Sequence, residues 1–404
     1  MKQRVVVIGR GYSGRLSIIR SLAEVDCDIT IISLLPTMKL PEKTKRNDYT
    51  LDAYSKYVSR VFYSESYNTE MLLDILLNKC VDATQKTIIF PDNDFSAAVL
   101  DEYREQLKAY FYIPHIKDTA GAVKEWMDKV KQKALAKTVG LNVAQAVLIE
   151  VRDKQFTIPD TISYPCFAKP LLSIAGGKSA LKRCDTENEL HKHITYVGSL
   201  RPDVSILVEE YKEIDKEYAT LGFSDGKNVV IPGLLEFHQI GHGSHFGVAI
   251  QGRAFPIDGY EDLVEKFKKL VIEIGFVGIF DIDFFESGGI MYFCELNLRF
   301  GGSGYAFTKL GVNLPVMMMK SFLGEDIQDM NKAINQTAFY FNERMAIDDW
   351  YGGYISTEKY YQLRDASEIK FVACDNDPLP QKRLEKEFRM KRIKKTIKGW
   401  MGKK

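Results

Sequence analysis

Two short runs in the second half of the chain carry the residue types best suited to chemistry. Phe280-Asp281-Ile282-Asp283-Phe284-Phe285 alternates apolar and acidic residues, so as a strand it presents Asp281 and Asp283 on one face. A Gly288-Gly289 turn returns the chain as Met291-Tyr292-Phe293-Cys294-Glu295-Leu296-Asn297-Leu298-Arg299, in which Glu295, Asn297 and Arg299 share a face. Paired in simple register, the hairpin brings Asp283, Glu295 and Asn297 together. Like charges so placed repel unless a cation lies between them. Hard oxygen ligands of this kind suit Mg²⁺ (or Mn²⁺) that keeps waters and phosphate oxygens as its other ligands. Arg299 adds a planar fork for a transferred phosphoryl group. The alternative is a purely structural cluster of charges.

Two further runs point toward phosphates. Lys169 lies in the apolar stretch Phe167-Ala168-Lys169-Pro170, where an ammonium is costly unless it meets an anion. The following Ser173-Ile174-Ala175-Gly176-Gly177-Lys178 can offer backbone N–H groups to phosphate oxygens, although it is not a Walker A sequence. A surface turn beside an edge-strand lysine is the plainer alternative. Ile206-Leu207-Val208-Glu209-Glu210-Tyr211 is a strand ending in carboxylates and an aromatic ring. Backbone groups of Tyr211 and Lys212 could meet a purine edge, and Glu217, seven residues after Glu210, could hold ribose hydroxyls. A solvated charge cluster would look the same.

The elements that must position these residues fall into two styles. Strand signals at Arg4–Ile8, Asp28–Ser33, Val58–Tyr63 and Thr87–Phe90 alternate with helical ones, as in a parallel βαβ sheet with helices on both faces. Ligands of such sheets bind beyond the carboxyl ends of the strands. That places Arg10, Tyr12, Ser13 and the Asp92-Asn93-Asp94 run on one rim. Gly9, Gly11 and Gly14 form a G-x-G-x-x-G turn there. A dinucleotide site also requires an acidic residue closing the second strand, where this chain has Ser33-Leu34-Leu35-Pro36. A tight turn needing glycine, or an anion or acceptor contact at the helix end, are the other readings. A helix is expected over residues 118–140. Strands then cluster at 144–150, 166–169, 205–209, 218–223, 229–237, 246–250, 278–285 and 290–295, with helices at 187–196 and 260–274, an α+β pattern with antiparallel hairpins.

Composition bounds the rest. The 404 residues carry 55 Lys+Arg and 54 Asp+Glu, a net charge of +1, which excludes a globally basic nucleic-acid binder. Hydrophobic residues make up 45%, which excludes disorder. No apolar run approaches the ~20 residues of a membrane span, and no signal-peptide pattern opens the chain. A cytoplasmic location is therefore expected. The six cysteines are dispersed without a CxxC, so neither a disulfide framework nor a cysteine zinc site is expected.

Taken together, these motifs resemble the ATP-grasp superfamily, in particular its carbamoyl-phosphate-synthase-like and carboxylate–amine ligase members, over residues 1 to about 325. Glu295-Leu296-Asn297-Leu298-Arg299 followed by Phe300-Gly301-Gly302-Ser303-Gly304 looks like the metal and phosphate motif of that family. Asp128-Lys129 looks like the start of the helix whose basic residue contacts ATP phosphates. Lys169 resembles the second phosphate lysine, and Ser173 to Lys178 (Ser173, Gly176, Gly177, Lys178) the mobile glycine-rich loop. Glu210 and Glu217 keep the family's spacing for adenine and ribose contacts, with Tyr211 and Lys212 between. The implied metal ligands are Asp283, Glu295 and Asn297, with Asp281 competing for the first place. Several members set a basic residue over the phosphates from the region near residue 240. His242 is the candidate here, although His238, His242 and His245 also have the spacing of a zinc site.

The resemblance implies residues 1–117 as an N-terminal βαβ (pre-ATP-grasp) domain that serves acceptor binding and packing. Arg10, Tyr12, Ser13, Asp92 and Asp94 from it, with Ser303 from beyond it, are the candidate acceptor contacts. Residues 118–330 would be a two-lobed ATP-grasp domain with antiparallel sheets and a mobile nucleotide lobe at about 145–215. Residues 331–380 would be a small appended region. The implied reaction uses ATP and Mg²⁺ to activate a small-molecule carboxylate as an acyl phosphate, which an amine then captures, with Arg299, Lys169 and His242 in the catalytic roles. The competing readings are a nicotinamide-dependent oxidoreductase and a non-catalytic nucleotide-binding protein. A dimer is compatible with all three.

Residues 381–404 differ from the rest. They hold eleven Lys/Arg and two Asp/Glu, and Met390, Ile393, Ile397 and Trp400 fall on one helical stripe. Such a segment can lie on the anionic inner face of a membrane, which would suit a ligase working on a cell-envelope or surface-polysaccharide precursor, or it can pack on the body.

Overall fold

A computed structural model describes residues 2–10, 13–36, 50–172, 180–242 and 247–401, with Ser13 and residues 396–401 described by backbone only. Tyr12, Ser173, Gly176, Gly177, Lys178 and His245 lie outside the described residues.

The N-terminal region alternates as expected: β1 (Gln3–Gly9), α1 (Ser13–Leu22), β2 (Cys27–Leu35), β3 (Val58–Glu65), α2 (Thr69–Ile75), β4 (Thr87–Pro91), α3 (Asp94–Glu102), α4 (Arg104–Leu107) and β5 (Phe111–Tyr112). The strands are all parallel, in the order β3-β2-β1-β4-β5. Val5, Val7, Ile29 and Ile31 bury into one core, and Val6, Ile8, Ile32 and Leu34 into another. This is the signature of a sheet covered on both faces. Strand order reverses at β1 and β4, so Gly9 and Pro91 end at the crevice where such sheets bind ligands.

The chain then runs through β6 (His115–Ile116), α5 (Ala122–Glu125), α6 (Lys129–Thr138), β7 (Asn142–Val143), β8 (Ala146–Val151), β9 (Cys166–Pro170), β10 (Lys182–Cys184), α7 (Glu187–Leu200) and β11 (Val204–Glu210). The helix expected across 118–140 is two helices. The Asp128 side chain accepts from the N–H groups of Val130 at 2.8 Å and Lys131 at 3.2 Å, so it caps and starts a new one. β10-β9-β11-β8 form a small antiparallel sheet backed by Leu190, Ile194 and Val197 of α7.

The largest sheet is built from β12 (Lys216–Asp225), β13 (Val229–Val230), β14 (Leu234–Ile240), β15 (Ala249–Phe255), β16 (Phe276–Ser287) and β17 (Ile290–Asn297). The strand expected over 229–237 is interrupted at Pro232-Gly233, and the one expected at 246–250 is found at Ala249–Phe255. α8 (Glu261–Ile274) covers one face with Val264, Phe267, Val271 and Ile274, an i, i+3, i+7, i+10 stripe. α9 (Tyr305–Lys309) and α10 (Leu314–Phe322) cover the other face together with α1, so α1 is shared between the parallel sheet and the large one.

Residues 331–380, read from sequence as a small appendage, contribute β18 (Ala338–Phe341) and β19 (Ile369–Lys370) to the edge of the same large sheet. Between and beyond them lie α11 (Glu343–Gly352), α12 (Thr357–Asp365) and α13 (Pro378–Met401). Among the described residues, no helix is long and apolar enough to cross a membrane.

One buried ion pair anchors the first strand-to-helix turn. The Arg15 Nη1 donates to the carbonyls of Gly9 and Ile32, each at 2.9 Å, and its Nε lies 2.6 Å from Asp52 Oδ2. Both side chains are fully buried. Arg15→Met should therefore cost about 3–5 kcal/mol by leaving Asp52 uncompensated. Urea denaturation would measure this, and the double variant Arg15→Met/Asp52→Leu should recover at least half of the loss.

Candidate active site

The β16–β17 hairpin puts the two acidic runs face to face. Asp281 pairs with Asn297 and Asp283 with Glu295. The ladder then shifts, so that Phe284 faces Phe293 and Cys294 is the extra residue of a bulge. Simple register therefore holds only on the Asp281 side. Asn297 Nδ2 donates to Asp283 Oδ2 at 3.1 Å, which joins Asp283, Asn297 and, opposite in register, Glu295 into one hard-oxygen set. Asp281 is turned elsewhere. Its Oδ2 is 3.9 Å from Arg299 Nη1, and its Oδ1 is buried without a hydrogen-bond partner. Burial pushes this carboxyl up, while Arg299 pulls it down, and Glu295 and Asp94 add to the rise. Gly301 makes room for it, since a Cβ there would stand 2.2 Å from Asp281 Oδ2.

Opposite this set lie three buried lysines. Lys129, the first residue of α6, places Nζ 3.1 Å from Glu295 Oε2. Lys133, one turn on, reaches Glu209 Oε1 at 2.8 Å, and Lys169 of β9 reaches the same oxygen at 2.9 Å. Lys169 Nζ is also 3.9 Å from Cys294 Sγ. Burial would strip Lys169 of its proton, but the carboxylates of Glu209 and Glu295 beside it outweigh that and raise its pKa. Burial likewise opposes ionisation of Glu209 and Glu295. Lys169 and Lys133 overcome it at Glu209, and Lys129 and Lys169 at Glu295, so both carboxylates are held below their ordinary range. Burial pushes the Cys294 thiol up to about 11, so it stays protonated.

Lys133 and Glu209 were not among the sequence candidates, yet each left a signal. Lys133 is four residues after Lys129, on the same helix face. Glu209 is two residues after Leu207, which pairs with Lys169, so Glu209 and Lys169 share a sheet face.

The expected adenine contacts lie where β11 ends. Glu210 Oε1 accepts from the Gln145 N–H at 3.0 Å and pairs with Lys212 at 3.1 Å. The Tyr211 ring lies under Arg183, 4.3 Å away, and its N–H donates to the Pro165 carbonyl at 3.2 Å, so that group does not face a purine edge. Glu217 stands near the start of β12, between Phe237 and Phe285.

Arg299 ties the hairpin to the N-terminal rim, donating through Nε to Asp94 Oδ1 at 2.8 Å and through Nη2 to Asn297 Oδ1 at 3.3 Å. Burial weakens its charged form, but Asp94 and Asp281 more than restore it. Asp92 fills the space above Gly9, where a Cβ would fall 1.6 Å from its Oδ1. A neighbouring carboxylate thus accounts for the first glycine of the G-x-G-x-x-G run. A Cβ on Gly14 would stand 3.7 Å from the Gly302 Cα, and Ser17 Oγ donates to the Gly302 carbonyl at 3.5 Å, which places the turn Gly302–Gly304, with Ser303, against α1. Arg10 is exposed, its guanidinium against the Tyr67 hydroxyl and 5.0 Å from that ring.

The histidines diverge. His242 Nδ1 lies 2.7 Å from Asp349 Oδ2, and its ring stacks on Tyr354 at 4.8 Å. His238 Nε2 instead approaches Glu236, at 3.5 Å. Among the described residues, no three His, Cys, Asp or Glu side chains are grouped to hold a metal, so the zinc spacing is not realised by His238 and His242.

No family model matches the chain. It is 24% identical over 230 residues to the carbamoyl phosphate synthase large chain of Agathobacter rectalis, covering 55% of this chain and 21% of that protein. The chain spans about a fifth to a quarter of the length of the first curated relatives it matches. The biotin carboxylase domain of Hydrogenobacter thermophilus 2-oxoglutarate carboxylase, solved with MgADP, ADP and bicarbonate, aligns with a TM-score of 0.63 at 18% identity, over 84% of this chain and 74% of that one. The L-amino acid ligase from Bacillus licheniformis aligns with a TM-score of 0.61 at 15% identity, over 84% and 80%. The fold and the relatives are those of ATP-grasp proteins, the superfamily that the motifs resemble.

Burial pushes the Asp92 carboxyl up to about 6. Arg15 opposes the rise, Asp52 adds to it and Arg299 opposes it. The folded state therefore holds this proton more tightly than the unfolded chain, where the value is about 3.9. Stability from this group is present below pH ~4 and lost as pH rises through about 6. Thermal denaturation of Asp92→Asn from pH 4 to 7 should lack that loss, and slopes parallel to wild type would contradict it.

Proposed function

We propose that the chain is an ATP-dependent ligase that joins a small carboxylate to an amine through an acyl phosphate. The observation that carries this is the juxtaposition of Asp283, Glu295 and Asn297 with Lys129, Lys133 and Lys169. The donor set fits a hard divalent cation, Mg²⁺ or Mn²⁺, held by Asp283, Glu295 and Asn297. When bound, such an ion offsets charge on the terminal phosphates of ATP. Asp283 is the better first ligand than Asp281, because it faces Glu295 and already bonds Asn297.

Lys129 and Lys169 hold phosphate oxygens in this reading, while Lys133 keeps Glu209 in place against Lys169. In the same reading, by resemblance alone, Ser173, Gly176, Gly177 and Lys178 serve the phosphates. Glu210, Lys212 and Glu217, with the Tyr211 ring, serve the nucleoside. A carboxylate oxygen of the acid attacks the terminal phosphorus as the bond to ADP breaks. The amine nitrogen then attacks the acyl carbon, and inorganic phosphate leaves. Arg299, fixed by Asp94, orients the phosphoryl group, and His242, oriented by Asp349, faces the same reaction. The acceptor binds along Arg10, Tyr12, Ser13, Asp92, Asp94 and Ser303.

In this reading the enzyme divides into residues 1–117 and 118–330, with 331–380 completing the edge of the large sheet and α13 running from it into the last segment, 381–404. Its setting is cytoplasmic, with peripheral contact to an anionic membrane through the last segment and a cell-envelope precursor as substrate.

Glu295→Gln should still fold, with a lowered melting temperature because Lys129 loses its partner, and should lose about a hundredfold in ATP turnover, the ~3 kcal/mol of one electrostatic group in phosphoryl transfer. Phosphate release with Mg-ATP, over a panel of amino acids and small carboxylates, measures this. Undiminished turnover in the variant would overturn the site. Stabilisation by NAD but not by Mg-ATP in a thermal-shift assay would overturn the class of reaction.

A further inference from the structure

The C-terminal helix is two-faced. Leu384 and Phe388 pack on the body, Phe388 against Trp350 at 4.9 Å and Tyr360 at 5.1 Å. Lys391 pairs with Asp348, and Lys395 Nζ donates to the Trp350 carbonyl at 2.7 Å. These four residues follow i, i+4, i+7, i+11, one stripe of a helix. The opposite stripe holds Lys386, Met390 and Ile393. The two apolar residues are 50% and 60% exposed. Residues 382–395 carry eight Lys/Arg and two Glu, and Lys382, Arg389 and Lys394 flank the apolar pair on the exposed side.

Beside this stripe, where α13 passes α11 and α12, is a cleft of about 390 Å³ lined by Trp350, Ile355, Ser356, Thr357, Arg392 and Lys395. Its neutral polar groups are committed within the protein. Ser356 Oγ caps the Lys359 N–H at 3.0 Å, and Thr357 Oγ1 accepts from Trp350 Nε1 at 2.9 Å. Two cations line its mouth: the Lys395 ammonium, which gives one of its three donors to the Trp350 carbonyl, and the Arg392 guanidinium, whose planar fork carries five.

We propose that this cleft receives the phosphate of an anionic lipid headgroup through Arg392 and Lys395 while Met390 and Ile393 enter the headgroup–acyl boundary. This rests on the peripheral-contact reading above and adds a site to it. A bilayer fits better than a nucleic acid, because exposed apolar side chains at the centre of a basic face gain nothing from a phosphodiester backbone and are buried by lipid.

The test uses the full chain, sedimented with vesicles of phosphatidylcholine alone or mixed with phosphatidylglycerol. Binding should be at least tenfold tighter to the mixed vesicles. Met390→Ser/Ile393→Ser should weaken it about tenfold. Lys382→Gln should weaken it about fivefold, the ordinary contribution of one cation near an anionic surface. Arg392→Gln should exceed tenfold, with an unchanged melting temperature. If Arg392→Gln loses no more than Lys382→Gln, the cleft is refuted and the peripheral contact stands. Equal binding to both vesicles, or none, refutes both. If Met390→Ser/Ile393→Ser binds normally and inorganic polyphosphate strips the chain from lipid, the face serves a soluble polyanion and the lipid assignment is overturned. None of these outcomes depends on ligase turnover.

Discussion

Lys133 and Lys169 reach one oxygen of Glu209 from opposite sides, and most of the candidate site is arranged around that shared carboxylate. Burying either lysine alone would be prohibitive, and burying both beside a single carboxylate leaves an excess of positive charge. Glu295 pairs with Lys129, which adds no net charge and leaves that excess standing. Among these five groups the lysines still outnumber the carboxylates, and polyanionic phosphate is the natural complement. The same arrangement joins separate parts of the fold: α6 and β9 bring the cations, β11 and β17 the anions. The small antiparallel sheet and the large sheet are thus held by charge as well as by packing. An ion drawing on Glu295 would turn Lys129 away from it and toward the phosphates.

A second set of charges joins the parallel sheet to the hairpin. Asp94 opens α3 and holds Arg299, which in turn touches Asn297 and approaches Asp281. Asp92 lies over Gly9, and α1 meets the turn at Gly302. The crevice of the parallel sheet therefore faces the acidic hairpin. Such a crevice is where parallel sheets with helices on both faces bind their ligands.

Much of the fold was readable in the sequence, because its strong signals were local. The Val/Ile runs of β1 to β4, the apolar stripe of α8 and the alternating hairpin each carry their own periodicity. The misses were places where one residue overrides a pattern. Asp128 caps a new helix inside an apolar-periodic stretch, Pro232-Gly233 cuts a strand, and the bulge at Cys294 shifts a ladder that simple alternation treats as regular. The candidate site was readable where types and spacing coincide, as for Asp283, Glu295 and Asn297. It was less so where the partner is distant in sequence. Glu209 reads as one acidic residue of a pair until β9 is laid beside β11, and Asp349, which orients His242, is 107 residues away. Leu384 and Phe388, which tie α13 to the body, are lost among eight cations.

The large sheet has one further consequence. Its hydrogen bonding runs unbroken from β19 through β18, β15, β14, β12 and β16 to β17. α13 packs against α11, which is joined directly to β18, so the terminal helix and the acidic hairpin belong to one continuous frame. A surface that held α13 would bear on that hairpin through this frame. Anchoring and aim are then linked, as the base of an instrument is to where it points.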